Sequence, residues 1–102
     1  MNALSRDGAT IRISKERWAH VASRHPEMAD QQEQVVATVS DPDRLQAGDT
    51  GEILAIRWYE RTPLTSKFLV VAYRETDSRD GFVLTAYLTS RLSGTRTTIW
   101  TR

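Results

Sequence analysis

A chain of 102 residues with 39% hydrophobic and 26% charged side chains has the size and make-up of one globular domain, and its three Trp, three Tyr and two Phe argue against disorder. The absence of cysteine excludes disulfide scaffolds, thiolate zinc sites and cysteine nucleophiles. With only short apolar runs, neither a membrane span nor a secretory signal is expected, which points to the cytoplasm. The net charge of +1 hides a pattern of +3 over residues 1–24, −6 over 25–60, +1 over 61–80 and +3 over 81–102. If the two basic ends meet in the fold, they make a local positive patch suited to a polyanion.

Ile11 and Ile13 on either side of Arg12 predict a short strand or extended lead-in. Ser14 then stands as an N-cap with Glu16 in the first turn, and Trp18, Val21, Ala22 and His25 follow at helical spacing. This helix ends near Arg24, because Pro26 disfavours helical backbone at His25. Asp30 with Glu33 predicts a capping box for a second helix, whose stripe of Val35, Val36 and Val39 stops at Ser40, Asp41 and Pro42. The helix-forming run Gln31 to Gln34 outweighs the β-branched content that follows.

Beyond Asp43 the pattern turns to strands at Ile53–Glu60, Lys67–Arg74 and Phe82–Leu88, with a short strand or tail at Thr97–Thr101. Turns at Thr62–Thr65 and Asp77–Gly81 and a break at Ser93–Gly94 separate them. Helices followed by a meander of three or four strands predict a single α+β domain over residues 1–102, its helices packed on one face of an antiparallel sheet.

On the first helix, Arg17, His20 and Arg24 fall within a sector of roughly 60°. They bring forked phosphate donors beside a group able to accept a proton. His25 lies toward the apolar side and reads as a packed or capping residue. Alternation in the third strand assigns Phe82, Leu84, Ala86 and Leu88 to the core and Val83, Thr85, Tyr87 and Thr89 to the opposite face, a row of hydroxyls. One of Trp58 and Tyr59 must face the same way as that row, either as a covered core aromatic or as a surface on which a base stacks. The acids Asp41, Asp43, Asp49 and Glu52 lie in loops with no spacing to converge them, and His20 and His25 are one residue too far apart for a zinc pair on one helix face. No metal or cofactor is therefore expected, and what remains is acid–base and electrostatic catalysis on a phosphate.

The segments RWAHVASRHPEM (17–28), SDPDRL (40–45), FLVVAYR (68–74), GFVLTAYL (81–88) and TIW (98–100) occur in an order that resembles the phage-associated branch of the barnase, EndoU, colicin and RelE group of RNases, the BECR fold. The resemblance runs from about Ile11 to Trp100. It implies two N-terminal helices against a four-stranded antiparallel sheet, and cleavage of RNA without metal by attack of the ribose 2'-hydroxyl on the adjacent phosphate. Position by position, it implies His20 as general base or acid, Arg24 as ligand of the transition-state phosphate, Tyr87 as second proton donor or stacking group, and Thr85 as a donor to the phosphate. Arg17, Thr89 and His25 are further substrate-binding positions, with His25 also holding the helix end. The expectation is a toxin or phage-linked endoribonuclease acting on tRNA or mRNA, restrained by an immunity or antitoxin protein. The alternative is a non-catalytic module of the same fold that binds RNA or a protein.

Overall fold

In the computed structural model, which describes residues 1–102, the chain opens with a hairpin of β1 (Asn2–Leu4) and β2 (Thr10–Arg12). The Asp7-Gly8 pair makes its turn: Gly8 takes a φ of 91°, a conformation that L side chains rarely adopt, and the Ala9 N–H donates to Ser5 Oγ at 3.0 Å. α1 (Lys15–Arg24) starts where Ser14 Oγ accepts from the Arg17 N–H at 3.0 Å and stops before Pro26. A single 3₁₀ turn, Pro26–Met28, buries Met28 and leads to α2 (Gln32–Ser40).

The capping box expected at Asp30 does not form. Gln31 occupies the N-cap with no side-chain bond, because its N–H is already given to the Met28 carbonyl at 2.9 Å and Asp30 belongs to that turn.

The remaining strands are β3 (Arg44–Ala47), β4 (Ile53–Tyr59), β5 (Lys67–Asp77), β6 (Asp80–Thr89) and β7 (Thr98–Thr101). All seven form one sheet in the order β1-β2-β6-β5-β4-β3-β7. The α+β class holds, but a four-stranded antiparallel sheet, as expected for a BECR-like domain, does not. The sheet is mixed, because β2 pairs with β6 in parallel, and β7 crosses to β3 at the far edge. β1 and β3 are three and four residues long, too short for period-2 alternation to reveal them, whereas β2 coincides with the alternation of Ile11 and Ile13 about Arg12. The parallel pair arises because both helices lie between β2 and the next strand, so β2 joins a strand distant in sequence. Neither helix is long and apolar enough to cross a membrane.

The helices cover one face, where Val21 of α1 and Val35 and Val39 of α2 pack with Leu69, Val71 and Tyr73 of β5. The other face carries no helix. Its buried cluster is Leu54, Ile56, Val70 and Ala72, flanked by Phe68, Tyr87 and Leu92.

The expected core face of the third strand reverses at one end. The β5–β6 ladder steps from Ala72↔Thr85 to Tyr73↔Val83, leaving Leu84 as an extra residue, and a bulge of this kind shifts side-chain phase by one. Ala86 remains in the core and Thr85 and Tyr87 on the opposite face, but Val83 is 1% exposed while Phe82 is 38% exposed. Val83→Ala is expected to cost about 2 kcal/mol, a fall of roughly 10 °C in melting temperature, and Phe82→Ser less than about 1 kcal/mol. Thermal denaturation of the two variants tests this, and a larger loss at Phe82 contradicts the phase reversal.

Beside the hairpin turn, Glu75 of β5 has Oε1 out of contact with solvent and without a hydrogen-bond partner. Burial, and secondarily the charge of Asp7, push its pKa up. The folded state thus binds this proton more tightly than the unfolded chain does. Its contribution to stability is favourable at low pH and is lost as pH rises through the raised value. Glu75→Gln is expected to be more stable than wild type at neutral pH. The gain disappears below the ordinary glutamate pKa, about 4.3, where the native acid is also uncharged. Urea midpoints across that range check the sign, and a Glu75→Gln variant less stable at neutral pH contradicts it.

Candidate functional site

β2 pairs only with the first residues of β6, Asp80 to Phe82, so past the bulge that edge of β6 has no strand partner. α1, which follows β2 directly, lies along it. Arg17 Nη1 donates to the Leu84 carbonyl at 3.3 Å, and the His25 and Tyr87 rings are tilted at 37° with centroids 5.8 Å apart. Eight residues of helix advance about 12 Å and three of strand about 10 Å, so helix and strand run side by side in the same direction between these two contacts.

Tyr87 and Thr89 face the helix-free side, in a cavity of about 220 Å³. Its floor includes Ile56 and Val70, its far wall is Gln46 of β3, and Arg91, Leu92 and Arg96 of the segment after β6 close it. No acid lines it.

His25 ends α1, its N–H donating to the Val21 carbonyl at 2.7 Å. Its Nδ1 is 3.7 Å from Glu27 Oε1, within range of an ion pair though longer than a hydrogen bond. The Pro26 turn brings the two side chains together, so the His25 imidazole lies against the Tyr87 ring and beside the Glu27 carboxylate.

Of the other site residues expected from the sequence, Arg17 bonds the bulge while Thr85 faces the helix-free side, half-buried, with no hydrogen-bond partner for its hydroxyl. The Thr89 hydroxyl is committed to its own turn, donating to the Arg91 carbonyl at 2.9 Å. His20 is exposed and lines a separate shallow depression with Ser14, Glu16 and Arg17. Arg24 is exposed and makes no ion pair. The imidazole that touches Tyr87 is therefore that of His25, and His20 stands on the outer flank of the helix.

Much of the basic charge at the ends is neutralised within the chain. Arg96 pairs with Asp49 at 3.0 Å, Arg12 with Asp80 at 2.9 Å, and Arg102 with Asp41 and Asp43. Hydrogen bonding to Arg102 holds the Asp41 carboxyl below the usual range, and Arg12 does the same for Asp80. Arg17, Arg24 and Arg91 have no carboxylate partner and keep their charge available to an anion. No three His, Asp or Glu side chains converge to hold a metal ion.

Glu27, Gln46 and the pair Arg91 and Arg96 did not stand out as site residues in the sequence. Glu27 sits two residues past His25 across a proline, and the two arginines contributed only to the charge of the C-terminal segment. No spacing rule links any of them to Tyr87.

No family model matches the chain, and comparison with curated proteins and with solved structures finds no match.

Proposed function

We propose that the chain is an endoribonuclease that cleaves RNA without metal, through attack of the ribose 2'-hydroxyl on the adjacent phosphate. The observation that carries this reading is the contact between His25 and Tyr87, 5.8 Å between ring centroids, where Tyr87 enters a cavity lined by arginines and by no acid. Imidazole and phenol are a proton acceptor and a proton donor, and both are needed on either side of a phosphate.

His25 takes the proton of the 2'-hydroxyl as the bond from O2' to phosphorus forms. The bond from phosphorus to O5' breaks, Tyr87 gives its proton to the departing O5', and a 2',3'-cyclic phosphate remains. Arg91, with Arg24 and Arg17 from α1, supplies positive charge to the phosphate oxygens, and the free Thr85 hydroxyl is a further donor. Glu27, its Oε1 3.7 Å from His25 Nδ1, stands beside the imidazole that takes the proton. The geometry favours His25 over His20 for this role, and His20 with Arg17 borders the path of the incoming strand. The resemblance in sequence adds a setting: a toxin or phage-linked effector in the cytoplasm, acting on tRNA or mRNA and held in check by an immunity or antitoxin protein. A second reading, a non-catalytic module binding RNA or a protein on the same face, is favoured by the Arg96–Asp49 pair, which occupies one of the two cavity arginines.

Incubation of the purified protein with tRNA or total RNA in EDTA is expected to give fragments ending in cyclic phosphate. His25→Ala and Tyr87→Phe are each expected to lower the rate by about 10²–10⁴-fold, and His20→Ala by less. RNA that stays intact at high protein concentration overturns the enzymatic reading. Loss of activity in His20→Ala with full activity in His25→Ala moves the proton-transfer role to His20.

A further inference from the structure

Three cross-strand rows cross the helix-free face from β6 to β4: Thr85–Ala72–Leu54, Tyr87–Val70–Ile56 and Thr89–Phe68–Trp58. The third row ends in an aromatic pair. Trp58 and Phe68 meet nearly edge to face, with centroids 4.8 Å apart at 72°, and Trp58 is 41% exposed. Tyr59, its neighbour in the chain, turns instead to the helix face, where its hydroxyl donates to the Gln34 carbonyl at 3.2 Å.

Cross-strand aromatic pairing accounts for the contact between the two rings. It does not account for the solvent-facing part of the indole, the largest apolar side chain on this side of the sheet. Exposed aromatic surface on the same sheet face as Arg91, a cavity-lining arginine with no carboxylate partner, is the chemistry of a stacking site for nucleic acid. Asp43, beside it, accepts from the Trp58 backbone N–H at 2.9 Å and pairs with Arg102, so its charge is compensated locally. With strands about 4.8 Å apart and same-face residues about 6.7 Å apart along a strand, the Cα atoms of Trp58 and Tyr87 are about 12 Å apart. One short RNA segment can touch both.

We propose that Trp58, backed by Phe68, is a stacking platform for an unpaired base of single-stranded RNA whose scissile phosphate lies at Tyr87 and His25. This rests on the endoribonuclease reading and adds a base subsite to it. Every base has an apolar face, so the platform selects single-stranded over duplex RNA without selecting sequence.

The test is binding of a fluorescent 2'-O-methyl oligonucleotide, which lacks the attacking hydroxyl and so separates binding from cleavage. Trp58→Ala is expected to weaken binding about tenfold, in line with the stacking contribution of one base, and Trp58→Phe to retain most of it. Trp58→Leu, which keeps an apolar contact with Phe68 but offers no ring face, is the second variant and should match Ala. A methylated dinucleotide, too short to span both places, should bind wild type and Trp58→Leu equally. Leu and Ala variants that bind the longer strand as wild type does overturn the platform while leaving the cleavage site standing. A wild-type chain that binds no single strand overturns both, and a stronger affinity for duplex than for single strand overturns the platform alone.

Discussion

Leu84 adds one residue to β6 where its partner strand passes from Ala72 to Tyr73, and the arrangement of the whole site follows from that step. Below it, Val83 turns into the helix-side core and β6 pairs with β2. Above it, the hydroxyls of Thr85 and Tyr87 stand on the open face, and the strand edge is released to α1. The irregularity also leaves the Leu84 carbonyl to accept from Arg17, which fastens the start of the helix to the strand. A regular strand would have kept one phase throughout and placed Phe82, not Val83, on the face of Ala86.

Charge is organised by the same geometry. A net charge of +1 leaves little field at a distance, and five of the chain's arginines, Arg6, Arg12, Arg57, Arg96 and Arg102, are tied to aspartates. These exposed pairs contribute little to stability, because solvent screens them. Their effect is to cancel charge over much of the surface, Arg96 of the segment after β6 included, so that Arg17, Arg24 and Arg91 stand out as arginines without a carboxylate partner. A phosphate approaching the open face meets the unpaired guanidinium of Arg91 in a cavity that no acid lines.

The two helices were legible because their signals are local. Ser14 caps within three residues, Pro26 stops the backbone, and the apolar spacing of Val21, Val35 and Val39 reports the buried side directly. β4, β5 and β6 were legible for a similar reason, being long enough for composition to identify them. β1 and β3 were not, although Asp7-Gly8 and the turn from Gly48 to Gly51 flank them, because three or four residues carry no period. The candidate site was partly legible. Tyr87 and Thr85 stand in a row that alternation reveals, whereas the imidazole beside Tyr87 depends on how a helix end docks, and Glu27 reaches His25 only through the turn at Pro26.

By itself, the amino-acid sequence determined the α+β class, where α1 begins and ends and where α2 ends, and the presence of a basic helix and a hydroxyl-bearing strand. Each of these rests on contacts or steric limits among residues close in the chain. Only the tertiary structure decided that the sheet has seven strands with a parallel pair, that Val83 and not Phe82 is core, and that His25 rather than His20 meets Tyr87. Those outcomes depend on pairing between segments tens of residues apart and on one inserted residue, and a side chain's own neighbours in sequence exert no force that distinguishes the alternatives.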